Sequence, residues 1–235
     1  MSHINKKRPH TRLEIIKYAV KCFVEDGYTA TSIKEIAKGL DISPGNITFY
    51  FPSKEHLLSE LVDALFDFQK LLMEKEAAEG VSSLLSYCLE LTVMAAASEE
   101  SDVARDLYIS SYVSPLTLEI IRFNDTEKTK AVFAEFCEGW SDDEWQATEN
   151  IVSGIEFATL MKSKENIPLE KRIEKVLDSI MLLYGVPKEI RNRKIEKVLA
   201  LDYRTLGKTI LDEFKEYVDK ANEENLKNAD KVDKK

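Results

Sequence analysis

A short polar and aromatic stretch after residue 42 carries side chains that can read the edges of base pairs. The amide of Asn46 can pair with adenine, while the methyl of Thr48 and the ring of Phe49 can touch the methyl group of thymine. Such contacts need a rigid element that enters a groove of the duplex, commonly a helix. The residues just before them can begin a helix and let its backbone approach the duplex closely: Ser43, Pro44 and Gly45.

Possible donors to phosphate lie on both sides of this stretch. Tyr50 and Lys54 follow it and can donate hydrogen bonds to phosphate oxygens, which gives affinity and register but no sequence preference. Thr31 and Ser32 precede it at a predicted helix N-terminus, where unpaired amides and the helix dipole favour an anion. A basic N-terminal segment either reaches the adjacent groove or only keeps the chain soluble: Lys6, Lys7 and Arg8.

Helices must position these residues, and the sequence marks where each one begins. Ser32 with Glu35 forms the pattern of a capping box, and Ser43 followed by Pro44 is typical of a helix start. Apolar residues recur at helical spacing between these signals. The resulting predictions are two short helices separated by about three residues, which is the spacing of a helix-turn-helix, flanked by two longer ones. The predicted segments are residues 12–26, 32–40, 43–51 and 53–79.

The rest of the chain is also predicted to be helical. The 235 residues include only 8 glycines and 6 prolines, so few turns are expected and the elements should be long. Ser141 with Glu144 indicates a second capping box. The predicted helices of this part are residues 81–98, 100–112, 115–138, 142–163, 168–185, 187–201 and 203–225. The expected fold class is all-α.

The distribution of charge fits a protein that presents one end to DNA. The chain has a net charge of −9, which taken whole argues against a nucleic-acid binder. Residues 1–56, however, carry nine basic and six acidic residues, a net charge of +3, whereas the remainder carries 24 basic and 36 acidic residues, a net charge of −12. The alternative is that this small basic excess is a chance fluctuation.

The run from Gly27 to Leu58 combines several of these features in a specific order. It closely resembles the N-terminal domain of the tetracycline-repressor (TetR/AcrR) family of transcription regulators. Two positions depart from the family pattern, since Thr48 stands where tyrosine is common and Phe49 where a polar or cationic residue is common. Relatives therefore do not predict the operator. The matching residues are Gly27, Thr31, Ile36, Ala37, Ser43, Pro44, Gly45, Tyr50, Phe51, Pro52, Ser53, Lys54, Glu55, Leu57 and Leu58.

The resemblance implies an architecture and a function. Residues 1–56 would be a three-helix, helix-turn-helix DNA-binding domain, and residues 57–186 a larger helical domain for ligand binding and dimerisation. Residues 187–235 would be a helical extension with a frayed end, which could buttress the dimer, cover the pocket or bind a partner. The chain would act as a homodimeric repressor on a near-palindromic DNA operator, released by an unknown small-molecule effector. Residues 142–163 and 168–185 would form the dimer interface.

A ligand pocket is only weakly indicated by sequence. Aromatic residues at helical spacing are more often core than pocket lining. Glu156 stands out because it interrupts an apolar run, and it lies near the pocket or the dimer seam or simply points to water. The candidate ligand-binding residues are Tyr87, Met94, Tyr108, Tyr112, Phe123, Trp145 and Glu156.

An enzyme and a protein-interaction module are the alternatives. The chain lacks the glycine-rich, zinc-protease and serine-hydrolase motifs, and no histidine follows His56, so the commonest general base is missing from the body. The interaction module would use the C-terminal extension and keep the helix-turn-helix as a vestige. Because the three cysteines lack metal-binding spacing and no long apolar run is present, we expect no catalytic site, metal, cofactor or membrane partner, and a cytoplasmic protein.

Overall fold

The structure, a computed structural model, describes residues 8–161 and 167–232, and the side chains of residues 12–161 and 167–221 within them. These residues form helices and no strand, which confirms the predicted all-α fold. None of the helices in these ranges is both long and apolar enough to cross a bilayer. The helices are α1 (Arg8–Glu25), α2 (Ile33–Gly39), α3 (Pro44–Tyr50), α4 (Lys54–Ala78), α5 (Ser83–Glu100), α6 (Asp102–Val113), α7 (Pro115–Phe133), α8 (Asp142–Leu160), α9 (Leu169–Leu183), α10 (Lys188–Leu199) and α11 (Tyr203–Val232).

Two sequence predictions concern residues that are not described. Lys6 and Lys7 lie outside the described residues, as does the side chain of Arg8, so the role of the basic segment stays a prediction. The frayed C-terminus also stays a prediction, because residues 233–235 and the side chains beyond residue 221 are not described.

Capping chemistry sets the helix boundaries. Both predicted capping boxes are present: the Ser32 and Ser141 hydroxyls accept from the backbone N–H of the glutamate three residues on, at 3.2 and 3.3 Å. In return, the carboxylates of Glu35 and Glu144 accept from the serine backbone N–H, each at 2.7 Å. The boundaries read from such signals therefore match the structure closely.

The ends of α7 and α11 differ most from the predicted boundaries, and α11 reaches Val232 where residue 225 was predicted. α7 ends at Phe133, whereas the sequence pattern predicted residue 138. Phe136 and Cys137 keep the apolar spacing but lie in the following turn, where Cys137 packs back into the core. Gly139 then has a φ of 82°, a left-handed conformation that glycine adopts without strain. Periodicity alone cannot separate a helix from a turn that returns to the same core.

α2 and α3 are fixed by a hydrophobic core that they share with α1 and α4. Ile36 of α2 and Ile47 of α3 are fully buried, and Phe51 just after α3 is 2% exposed. Burial of each such side chain contributes roughly 1.5–3 kcal/mol relative to exposure. The helix-turn-helix therefore packs on residues of the two longer helices, α1 and α4. These residues are Ile15, Ala19, Phe23, Leu57, Leu58 and Leu61.

α5 is the central helix of the larger part of the molecule. It is buried on most sides, because α4, α6, α8, α9, α10 and α11 all pack around it. A helix that is apolar on most of its faces is stable only in such a position. Next to it, the ring of Tyr184 stacks on Phe133 with 4.1 Å between centroids, and Trp140 and Trp145 extend this aromatic cluster.

α11 joins the C-terminal part of the chain to both cores. It packs along α5 at Gly207, where an added Cβ would lie 2.8 Å from the Ala96 Cβ and from the Ala97 backbone nitrogen. Further along, Phe214 and Val218 are buried in the same core as α1 and α4. The division of the chain into domains at residues 56 and 186 stays a proposal. α11, which follows the second boundary, packs against helices of both preceding regions.

Candidate functional site

α3 has one face buried and the other open to solvent. Ile47 and Phe51 point into the core, as predicted from the sequence. Asn46 and Thr48 are exposed, and Phe49 exposes 74% of its surface. A phenyl ring this exposed contributes little to packing, and it lies beside polar groups on the same short helix. This face is therefore available to a partner.

Local contacts order this exposed face. The Ser43 hydroxyl accepts from the Asn46 backbone N–H at 3.3 Å and donates to the Asn46 Oδ1 at 3.2 Å. The rings of Phe49 and Tyr50 meet edge to face with 5.1 Å between centroids, and Tyr50 is half-buried. In the turn before α3, Asp41 has a φ of 53°, a conformation that aspartate tolerates. Pro44 and Gly45 are exposed on the same side of the helix start.

Thr31 and Lys54 make contacts within the chain, and the phosphate contacts expected of them stay predictions. Thr31 is 4% exposed, and its hydroxyl donates to the Gly27 carbonyl at 2.8 Å. The Lys54 ammonium donates to the carbonyls of Tyr28 and Thr31, each at 2.9 Å, and lies 4.0 Å from the centroid of the Tyr28 ring. Because two of its three N–H donors are used in this way, Lys54 fastens the start of α4 to the α1–α2 turn.

Ser32 is exposed, but its hydroxyl is engaged in the capping box with Glu35. The Glu35 carboxylate occupies the N-terminus of α2, which the sequence analysis had assigned to a phosphate. α2 is also only seven residues long, so its dipole is small. The predicted anion site of Thr31 and Ser32 is therefore not supported by the geometry.

A polar contact links the α1–α2 turn to α6. The backbone N–H of Thr29 donates to the Asp106 Oδ2 at 2.7 Å, and the Thr29 hydroxyl donates to Oδ1 of the same carboxylate. Gly27, with a φ of 94°, brings the turn so close that an added Cβ would lie 3.0 Å from the Asp106 Oδ2. α6 thus contacts the helix-turn-helix unit at one end.

Two adjoining cavities lie inside the larger part of the molecule, and α6 lines both. The larger, of about 130 Å³, is mostly apolar and is closed on one side by α11. The smaller, of about 40 Å³, lies toward α7 and α8. The residues that line both cavities, and so mark their junction, are Leu65, Gln69, Glu90, Met94 and Tyr108.

A cluster of buried acidic groups lies beside the smaller cavity. Asp125, Glu149 and Glu156 are each at most 5% exposed, and their carboxylate oxygens lie within 4.8 Å of one another. The Lys128 ammonium contacts Asp125 at 2.7 Å and Glu90 at 2.8 Å. One ammonium thus faces four carboxyl groups.

Hydroxyl groups satisfy only part of this cluster. Tyr112 donates to the Glu156 Oε2 at 2.9 Å, and Tyr184 donates to the Glu149 Oε2 at 2.8 Å. Several buried side-chain atoms have no hydrogen-bond partner among the described residues. Those in or near this cluster are Gln69 Oε1, Tyr87 Oη, Glu90 Oε2 and Glu149 Oε1.

Burial and mutual repulsion shift the protonation of the cluster. Burial, followed by the charge of Asp125, raises the pKa of Glu149 to about 7. The same two causes, with Glu149 in addition, raise the pKa of Glu156 well above its ordinary value. Burial alone would lower the pKa of Lys128, but the carboxylates of Asp125 and Glu90 outweigh it and raise that pKa. Lys128 therefore stays charged, while Glu149 and Glu156 tend to retain protons.

Four of the seven predicted ligand-binding residues line the cavities: Met94, Tyr108, Tyr112 and Glu156. The other three do not. Trp145 belongs to the aromatic cluster around Tyr184, and Phe123 lies on the outside of α7 with 70% of its surface exposed. Tyr87 is buried behind the cavities, although its hydroxyl lies in the field of the Glu156 and Glu149 carboxyl groups.

The sequence analysis missed Glu90, Asp125, Lys128 and Glu149. A signal was present, because Asp125 and Lys128 are three residues apart and Glu149 and Glu156 seven apart, so each pair shares one helix face. Polar residues at such spacing normally face water, so the spacing alone does not predict that they are buried. Their burial follows from the packing of α5 against α7 and α8.

Comparison with known proteins gives a family for the N-terminal region. Residues 15–61 match the family described as bacterial regulatory proteins, tetR family. An uncharacterized HTH-type transcriptional regulator of Bacillus subtilis, YuxN, is 42% identical over 82 residues, which cover 34% of this chain and 28% of YuxN. The aligned part therefore spans less than a third of that relative.

More distant similarities extend further along the chain. IcaR of Staphylococcus aureus, an HTH-type negative transcriptional regulator of the biofilm operon icaADBC, is 22% identical over 138 residues, covering 52% of this chain and 74% of IcaR. The crystal structure of TylP, a TetR regulator from Streptomyces fradiae, aligns with 89% of this chain and 99% of its own at 18% identity and a TM-score of 0.46.

We predict that Lys54→Met destabilises the helix-turn-helix unit. Methionine keeps most of the apolar stem but removes two hydrogen bonds from a charged donor, and one such bond is worth about 1.5–3 kcal/mol. Urea unfolding followed by circular dichroism measures the loss. Lys38→Met, at an exposed position of α2, is the control and should be close to neutral. Equal stability of the Lys54 variant and the parent would contradict the structural role.

We predict that Glu149→Gln stabilises the protein at alkaline pH and has no such effect in acid. With a pKa raised to about 7, Glu149 binds a proton more tightly in the folded than in the unfolded state. Its contribution is therefore fully present below the unfolded pKa and is lost as pH rises through about 7. Unfolding free energies at about pH 8 should favour the variant by roughly 1–3 kcal/mol, and the difference should disappear near pH 4.5.

The control for this prediction is Glu170→Gln. Hydrogen bonding to Arg204 lowers the pKa of Glu170 to about 2, so its removal should destabilise the protein at neutral pH, with the opposite sign. A Glu149 variant that is less stable than the parent at every pH would contradict the prediction.

Proposed function

We propose that this chain is a regulator of the tetR family, a dimeric DNA-binding repressor released by a small molecule, because residues 15–61 match that family of bacterial regulatory proteins. The observation that carries the proposal is the exposed face of α3. Asn46, Thr48 and Phe49 project together from the second helix of a helix-turn-helix, the element that enters the major groove in such domains.

The proposed DNA contacts fall into two groups. Asn46, Thr48 and Phe49 contact base edges, while Tyr50 contacts a phosphate at the end of the helix. Gly45 lets the backbone of α3 approach the duplex, with Ser43 and Pro44 fixing the start of the helix. Thr31, Ser32 and Lys54 hold the frame in which α3 is presented, in keeping with their contacts within the chain.

We infer that α8 and α9 form the interface between two copies. Many apolar residues of these two helices, such as Val152 and Leu177, are buried within one chain. Ile151 on α8 and Leu182 on α9 expose 55% and 58% of their surfaces, and Gly154 and Ala158 continue the exposed face of α8. A two-fold dimer places two reading helices about one turn of DNA apart, about 34–36 Å, which suits a near-palindromic operator.

The effector would act from the internal cavities. α4 lines them and also supports α3, and α6 lines them and also contacts the α1–α2 turn through Asp106. A ligand that prefers one arrangement of these helices would shift the spacing of the reading helices, by no more than its difference in affinity between the two arrangements. The matched family consists of transcriptional regulators, which supports a regulator over the alternative of an enzyme.

We predict that changes on α3 alter sequence preference, whereas a phosphate contact does not. Asn46→Ala should cost about 1–3 kcal/mol on the preferred duplex and relax specificity at one position. Phe49→Ala should relax it at a neighbouring thymine. Tyr50→Phe removes only a hydroxyl and should weaken binding similarly on all duplexes. Selection from a random duplex pool, followed by fluorescence anisotropy, measures both effects.

Two results would count against this assignment. If the parent shows no salt-sensitive, sequence-preferring binding to any duplex, the chain is not a DNA-binding repressor. If Asn46→Ala and Tyr50→Phe change binding in the same way on every duplex, then α3 does not read bases through this face.

We predict that Ile151→Arg converts the dimer to a monomer. An arginine at the centre of the proposed interface would bring like charges together across the two-fold axis, and a single reading head binds far more weakly than two. Analytical ultracentrifugation should give the mass of two chains for the parent and of one for the variant. Leu71→Arg, at a similarly exposed leucine on α4, is the control and should remain dimeric. A monomeric parent would contradict the proposed interface.

A further inference from the structure

The junction of the two cavities is lined by groups that accept hydrogen bonds. Gln69 Oε1 and Glu90 Oε2 lie there without a partner in the described ranges, and they come from different helices, α4 and α5. Asp125 and Glu156 line the smaller cavity beyond them. A buried acceptor left without a donor costs about 1–3 kcal/mol, so a bound molecule that supplies N–H donors would recover that cost.

Two further buried polar groups lie behind the cavities, one of them within the acid cluster. The hydroxyl of Tyr87 is buried with no partner in the described structure, although the residue is only 1% exposed. The Glu149 Oε1 is in the same position on another helix. Protein interiors rarely leave such groups unmatched, and ordered water or a bound molecule commonly supplies the partner.

Acidic side chains outnumber basic ones beside the smaller cavity. Glu90, Asp125, Glu149 and Glu156 face a single ammonium, that of Lys128, in the described part of the fold. A bound cation would favour the ionised forms of Glu149 and Glu156, which otherwise tend to retain protons, whereas an anion would disfavour them.

The larger cavity limits the size and the polarity of the rest of the ligand. Its lining is mainly apolar, with Leu72, Val93 and Ile210 among its walls. Its volume of about 130 Å³ is close to that of a cavity that accepts one benzene ring, whereas the 40 Å³ of the smaller cavity suits a group about the size of a water molecule or an ammonium.

We propose that the effector is a small amphipathic amine, with an apolar body of about one ring in the larger cavity and its ammonium at the junction beside Glu90, Asp125 and Glu156. This assignment rests on the proposed function, since it gives the chemical class of the small molecule that would control DNA binding. The ammonium donates to the Gln69 and Glu90 oxygens and favours the ionised form of the neighbouring carboxyl groups.

A divalent metal ion fits the same cluster less well. Asp125, Glu149 and Glu156 are close enough to share a cation. However, the Lys128 ammonium already lies 2.7 Å from Asp125 and would repel a double charge. Hard divalent cations also need six or more oxygen ligands, and a metal would leave the apolar cavity unused.

The test compares three probes of nearly equal shape and different charge: benzylamine, benzyl alcohol and benzoate. Isothermal titration of the full-length protein without DNA measures their affinities directly. We expect benzylamine to bind about ten- to a hundredfold more tightly than benzyl alcohol, and benzoate not to bind. Mn²⁺ is titrated separately as the probe for a metal site.

Substitution connects this preference to the cluster. Glu156→Gln keeps an oxygen that can accept from Tyr112 but removes the charge, and it should reduce the preference for benzylamine over benzyl alcohol at least tenfold. Glu74→Gln changes the net charge equally at an exposed position of α4 and should leave the preference unchanged. The comparison of probes on the parent remains valid even if the Glu156 variant does not fold.

Several results would overturn the proposal. They are equal affinity for amine and alcohol, tighter binding of benzoate, no binding of benzylamine, or binding of Mn²⁺ with no effect of the amine. Because the titration needs no DNA, its failure is distinct from that of the repressor assignment, which the duplex-binding experiment tests. Amine binding by a chain that ignores every duplex would support this inference and refute the proposed function.

Discussion

The arrangement of the whole molecule depends on one continuous helix, α4, whose two ends belong to different environments. Its first turns place Leu57, Leu58 and Leu61 in the core beneath α3, while Leu65 and Gln69 form walls of the internal cavities. A helix of 25 residues is about 37 Å long and does not compress. Under the proposed function, a change in the shape of the cavities would tilt this helix and move α3, which packs on its N-terminal end.

Two further connections make this coupling reciprocal. Asp106 ties α6 to the α1–α2 turn, and α11 closes the larger cavity before its Phe214 enters the core shared by α1 and α4. The C-terminal helix, whose role the sequence left open, thus covers the cavity and braces the N-terminal unit at the same time. Since binding free energies are linked, an effector that weakens DNA binding through these contacts must itself be bound less tightly by the DNA complex.

Sequence reasoning predicted the parts of the structure that depend on local chemistry. Capping boxes at Ser32 and Ser141 fixed helix starts, and helical periodicity separated the buried Ile47 from the exposed Phe49. It failed where distant segments meet. The Lys54 ammonium finds its carbonyl partners only when α4 packs against the α1–α2 turn, so from sequence it reads as a phosphate donor. Likewise, Asp125 and Glu149 follow the spacing of a solvated face, and only their packing around α5 buries them.

Unmatched acceptors, more than burial of charge as such, distinguish the acid cluster from a structural ion pair. Arg191 is also buried, yet its guanidinium donates to Asp178 at 2.6 Å and to the Val186 carbonyl at 2.7 Å, an arrangement that fixes the α9–α10 turn. Around Lys128, by contrast, four carboxyl groups share one ammonium, and Glu90 and Glu149 each keep an oxygen with no partner in the described chain. Hydrophobic residues of similar volume would often be at least as stable there. Proteins depart from the usual rules of core packing mainly at functional sites. The free-energy cost of burying these carboxyl groups is therefore consistent with the proposed binding of a cation beside them.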